Sequence, residues 1–179
     1  TLGAQTSCRD IVRKVQAWWL LHDPKADPGS ASTCAYTKAR QRLAPEAIRP
    51  VARHLVERLE GRVPKSQLWL GRRVRVVDGT TVSMPDTEAN QAAYPQSAGQ
   101  KPGCGFPLMR VVGLFSLASG ALLNYATSSK HVHESILCAR LMHGLDKGDV
   151  VLADRGFCSF LAFRRLSLAG VDALMRLNG

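Results

Sequence analysis

Val74-Arg75-Val76-Val77-Asp78-Gly79 and Val150-Val151-Leu152-Ala153-Asp154-Arg155-Gly156 are the two stretches that decide the fold. Each is a short, largely apolar run, the pattern of a sheet-core strand, and each ends in an aspartate followed by turn residues. One Asp-Gly step at a strand end is only a turn signal. Two such strand ends in a basic chain, with strand-rich sequence between them, predict more. A carboxylate at the tip of a buried strand is held rigidly, and two such strands side by side present paired oxygens to a hard divalent cation. Phosphoryl-transfer chemistry is built from that arrangement.

Outward from these strands, Leu108–Leu117 is a longer apolar run. Ala121–Thr127 follows it after Ser119-Gly120, a hairpin signal. His131–Leu145 returns to helical spacing through Val132, Ile136, Leu137, Leu141 and Met142, Phe160–Leu168 reads as a helix, and Val171–Leu177 as a last strand. Three strands, a helix, a strand, a helix and a strand describe a mixed α/β sheet that starts as a meander. In that topology the first and fourth strands can lie together at the centre, which would bring Asp78 and Asp154 together.

Upstream the period is helical. Cys8–Leu21 carries Ile11, Val12, Val15, Trp18 and Trp19 on an amphipathic pattern, and Asp23–Ser30 is rich in Pro, Gly, Asp and Ser and breaks it. Ser32 or Thr33 caps a helix to about Leu43. Pro45 opens another to about Leu59, in which Pro50 predicts a kink or restart. Lys38, Arg40, Arg42, Arg49, Arg53 and Arg58 dominate the polar positions of the last two. Residues 1–73 hold 14 Lys and Arg against 6 Asp and Glu, whereas 74–179 hold 10 against 8, so the positive field belongs to the front of the chain. Such a surface suits a polyanion, DNA first among intracellular candidates, or is simply a solvated basic face. The expected division is a helical, basic region over 1–66 and a catalytic region over 67–179.

Met84–Pro107 has several Gly and Pro residues and no clear period, the mark of a functional or mobile loop. Lys101 in it could approach a DNA backbone. His131 and His133 form a His-x-His pair, but a histidine at a helix start more often caps or faces solvent than ligates zinc. Glu134, Asp149 and Asp172 are the spare acids of the strand-rich part. Asp149 and Asp172 lie at strand starts, away from the Asp78 and Asp154 tips. No Walker motif is present, so nucleotide binding is not expected.

With 45% apolar and 21% charged residues the chain reads as a globular protein. It has no apolar run of the roughly 18 residues a membrane span needs and no signal peptide at Thr1-Leu2-Gly3-Ala4-Gln5. A cytoplasmic, nucleoid-associated protein is expected. Five scattered cysteines with no Cys-x-x-Cys pair predict reduced, mostly buried thiols. A start at Thr and a stop after Leu177-Asn178-Gly179 suggest a fragment.

The words Val77-Asp78-Gly79-Thr80-Thr81, Gly103-Cys104-Gly105-Phe106-Pro107 with Arg110 behind it, His133-Glu134-Ser135 and Leu152-Ala153-Asp154-Arg155-Gly156-Phe157 closely resemble the insertion-sequence DDE transposases of the IS-four family. The resemblance reaches Ser7-Cys8-Arg9 and Ala39-Arg40-Gln41-Arg42-Leu43, and so covers nearly the whole chain. It implies an incomplete ribonuclease-H-like core preceded by a small helical DNA-binding domain, acting on transposon ends and target DNA, with dimerisation on DNA as one option. Asp78 and Asp154 would match the first two catalytic acids and coordinate magnesium, with manganese as the alternative. Arg155, Lys101, Arg110, Lys38, Arg40 and Arg42 would be the DNA contacts. The family's third acid, a glutamate in a tyrosine-arginine-glutamate-lysine signature, does not occur before Gly179, so an inactive fragment is the expectation. The other readings are a non-catalytic DNA-binding remnant and a metal-dependent nuclease using Glu134 as third carboxylate.

Overall fold

The computed structural model describes residues 7–101 and 103–176, and the chain divides into two compact units with the boundary after Ala52. Three helices come first: α1 (Cys8–His22), α2 (Thr33–Arg42) and α3 (Pro45–Glu60). Ser7 caps α1 in a reciprocal box, its hydroxyl accepting from the Asp10 amide at 3.2 Å while the Asp10 carboxylate accepts from the Ser7 amide at 3.3 Å. Ser32 caps α2. Helix α3 runs through Pro50 as one element rather than restarting, at the cost of one backbone donor. No described residue up to Ala52 is buried, and Trp18, Trp19 and Leu21 are all more than half exposed. The apolar stripe read in α1 is therefore present but uncovered.

In the second unit β1 (Val74–Ser83), β2 (Leu108–Ser116), β3 (Leu122–Ser129), β4 (Val150–Ala153) and β5 (Asp172–Met175) form one sheet in the order β3-β2-β1-β4-β5. β2 pairs antiparallel with both β1 and β3, and β4 runs parallel to both β1 and β5. A tight turn at Gly120, whose φ of 69° is easiest for glycine, joins β2 to β3. Parallel neighbours need a crossover, and helices α5 (Glu134–Leu141) and α6 (Phe160–Leu168) provide it. This is a mixed α/β sheet that starts as a meander, with β1 and β4 side by side at its centre, as the sequence implied.

One sheet face is covered. Val77, Val112, Leu114 and Val151 pack with Leu137, Cys138 and Leu141 of α5, Leu166 of α6, and Phe157. At the N-terminal end of β1 the core turns polar. Arg75, 4% exposed, is bonded to Asp149 at 3.0 Å and to Glu60 at 2.6 Å, and Glu60 also accepts from the Ser119 hydroxyl at 2.6 Å. Glu60 is thereby tied to the sheet unit, which begins at Arg53.

Several boundaries differ from expectation. β1 continues six residues beyond Val77, because β2 pairs with it as far as Ser83. The helix expected over 131–145 is confined to α5 and a following 3-10 turn, Met142–Gly144, since His133 caps its start. The long loop contains a short helix, α4 (Glu88–Ala93), capped by Thr87. β5 ends at Met175, and Leu177 lies outside the described residues. All five cysteines are free, but only Cys138 is buried, with Cys34 and Cys104 exposed. Burial pushes the Cys138 thiol up to about 11.

Candidate functional site

Parallel pairing of β1 with β4 ends at Val77 opposite Ala153. Asp78 and Asp154 are the next residues along the chain from that last pair, so the register brings both to the same edge of the sheet. Asp78 is not at the tip of its own strand. It stands where the parallel partner stops and only the antiparallel one continues, opposite Gly113. Asp154 leaves the sheet at once, and its side chain caps the 3-10 turn Arg155–Phe157.

Local backbone amides hold both carboxylates. Asp78 Oδ1 accepts from the Gly79 amide at 2.8 Å, and Asp154 Oδ1 accepts from the Gly156 amide at 2.9 Å. Each is left with an oxygen that has no hydrogen bond among the described residues, and both side chains are exposed. Two oriented, exposed carboxylates are donors that suit an oxygen-seeking divalent cation. Among the described residues no three His, Cys, Asp or Glu side chains converge to make a complete metal cluster. The donor set here is a pair.

Glycines shape the strand around this pair. A Cβ on Gly79 would stand 3.1 Å from the Glu134 carboxyl carbon, so the first turn of α5 rests its acid on the residue after Asp78. A Cβ on Gly113 would stand 2.6 Å from the Phe115 ring, which lies over that glycine opposite Asp78. Beyond the ring, the uncovered sheet face opens a shallow, mainly apolar cavity of about 340 Å³, lined by Asp78, Met109, Val111, Phe115 and Tyr125.

The other candidate residues are placed as follows. Arg110 turns inward, donating to the Val132 carbonyl at 2.7 Å and pairing with Glu134 at 3.5 Å, with its Nε buried. Arg155 is exposed beside Asp154. Lys101 is exposed in the loop after α4, more than twenty residues along from Asp78, and its carbonyl accepts from Gln96 at 2.8 Å. Lys38, Arg40 and Arg42 are exposed on α2 in the first unit. His133 caps α5 through its Nδ1, in contact with the Ser135 amide and hydroxyl, and His131 is exposed. Of the spare acids, Asp149 is committed to Arg75 and Asp172 to Arg72 at 2.6 Å. Sequence reading missed the Glu60–Arg75 pair and the closeness of Gly79 to Glu134. Arginine inside an otherwise apolar strand is the one signal that could have pointed to the former.

Residues 69–179 match the family model described as the transposase DDE domain. The chain is 29% identical over 136 residues to the transposase InsG for insertion sequence element IS4 of Escherichia coli K12, covering 76% of this chain and 30% of that protein. It is 25% identical over 151 residues to the putative transposase InsZ of the same organism, covering 84% of this chain and 50% of that protein. The chain thus spans half or less of the length of these relatives. Among solved structures, 97% of the chain superposes on 38% of a piggyBac transposase chain from a synaptic complex with hairpin DNA, at 10% identity and a TM-score of 0.46. The same share superposes on 61% of a Mos1 transposase chain from a paired-end complex, at 11% identity and 0.40. No helix of the described residues is long and apolar enough to cross a membrane.

Proposed function

The chain belongs to the transposase DDE domain family, and from that premise we propose that it is part of a DNA transposase, with Asp78 and Asp154 as two of the acids that hold the catalytic metal. The observation that carries this reading is the parallel register, with Val77 opposite Ala153, that sets the two aspartates side by side. Their unbonded oxygens, exposure and fixed backbone bonds suit magnesium or manganese. Such an ion, when bound, activates a hydroxyl or water nucleophile and stabilises the leaving oxygen of a phosphodiester.

The chain's own residues orient and position. The Gly79 and Gly156 amides fix the carboxylate rotamers, and a fixed donor spends no binding energy on reorganisation as charge develops. Arg155 would meet a phosphate near the scissile bond, a role its exposure next to Asp154 supports. Double-stranded DNA is the proposed partner, with Lys38, Arg40 and Arg42 of α2 as phosphate contacts in the helical region and Lys101 as a contact from the loop. The guanidinium of Arg110 is engaged with Glu134 and Val132, so a positioning role within the protein suits it better than a DNA contact. With only two acids converging among the described residues, strand transfer by this chain alone is expected at background level.

Titration calorimetry with manganese tests the proposal. The chain should bind the ion, and an Asp78→Ala, Asp154→Ala double variant of unchanged thermal stability should not. Equal heats from both proteins would overturn the assignment of the acid pair.

A further inference from the structure

A second, separate site lies between the two helices that cover the sheet. A groove of about 550 Å³ runs between α5 and α6, within the range of ordinary ligand sites. Its lining includes Arg140 and Arg165 and no acidic residue. Neither arginine has an ion-pair partner among the described residues. One helical turn before each arginine the lining is apolar, with Ile136 and Leu161 each about half exposed.

One end of the groove, at Ser135 and Ser159, stands at the start of α5 and α6. Ser135, at one side of its mouth, follows Glu134, whose carboxylate rests on Gly79 beside Asp78. Ser159, at the other, stands five residues after Asp154 and caps α6. That end of the groove thus lies at the sheet edge where β1 and β4 lead into the acid pair.

We propose that this groove holds a single-stranded segment of nucleic acid leaving the acid pair, its phosphates on Arg140 and Arg165 and its sugar and base faces on Ile136 and Leu161. Single-strand sites set side chains with apolar faces, most often aromatic, beside a positive groove, because the backbone is anionic while sugars and bases offer apolar faces. A duplex, with phosphates outward and bases stacked inside, would use the arginines but leave the apolar floor uncovered. The proposal rests on the transposase reading for the source of the strand, and its test separates the two.

Binding of a short fluorescein-labelled oligothymidylate, and of a duplex of equal length, is measured by anisotropy across a salt series for the chain and for an Arg140→Gln, Arg165→Gln double variant. Loss of two phosphate contacts should lower the salt slope for the single strand by about 1.4 and affect the duplex less. Manganese binding should be unchanged. An unaltered single-strand slope overturns the proposal, and so does an equal loss for both DNAs. Binding of an acidic amphipathic peptide that the double variant abolishes, with the oligothymidylate slope intact, would make the groove a protein-docking site and overturns it too. If the slope falls but the unsubstituted chain binds no manganese, the groove stands and the acid-pair assignment fails.

Discussion

Gly113 carries more of the site's shape than its lack of a side chain suggests. It pairs with Asp78, and the Phe115 ring occupies the volume where its Cβ would be, 2.6 Å from the nearest ring carbon. Gly113→Ala must push the ring aside, and overpacking of this kind costs about 1–3 kcal/mol. Urea unfolding should show that loss. In a Phe115→Ala background the same change should cost little or become favourable, since alanine is otherwise better than glycine within a strand. An equal cost in both backgrounds would mean that the ring is not the obstacle. The two aspartates are legible from their apolar runs and turn residues, because those signals are local. The contacts at Gly79 and Gly113 are not legible, because they depend on which residues sit opposite in space.

Among the elements, β1 is the one that sequence reading shortened most. Its first four residues show a buried-strand pattern, but Gly79-Thr80-Thr81 looks like an exit, and only pairing with β2 keeps the chain extended to Ser83. Its N-terminal end is tied by Arg75 to Asp149 and Glu60. Arg75→Ala leaves two carboxylates in a largely buried site and should cost about 3–5 kcal/mol, as broken buried pairs do. Burial alone would raise the Glu60 carboxyl, but bonds from Ser119, Ser116 and Arg75 outweigh it and hold the group below its ordinary value of 4.5. A lowered folded value means that Glu60 contributes stability fully above 4.5 and loses it as the pH falls through the folded value. Glu60→Gln should therefore lower stability at neutral pH and flatten the acid limb of the stability curve below about 4.5. An acid limb identical to the parent's would show that Glu60 does not titrate on folding. The order of strands and main helices is legible because short apolar runs bounded by turn residues alternate with 3.6-residue spacing, whereas the helix inside the long loop is too short to show a period.

At the scale of the whole chain the charge is divided as the sequence reads, with the excess of Lys and Arg upstream of β1. The structure adds that the helices carrying most of it bury nothing up to Ala52. A unit whose stability owes so little to its own core tolerates exposed charge changes, and surface substitutions away from special features stay within about 0.5 kcal/mol. That makes the electrostatic part of the proposed DNA binding separable from folding. Lys38, Arg40 and Arg42 lie on one helix, α2, and Lys38→Gln, Arg40→Gln, Arg42→Gln together should reduce the salt slope for duplex DNA by about 2.7 if all three reach phosphates. If they form a solvated face, the slope should fall by much less than 1, since long-range attraction is screened beyond about 10 Å in 0.1 M salt. The same triple variant should leave manganese binding and the single-strand slope assigned to Arg140 and Arg165 unchanged. Loss of all three readings together would mean that the substitutions had disturbed the fold, which a thermal melt by circular dichroism would reveal as a lowered midpoint.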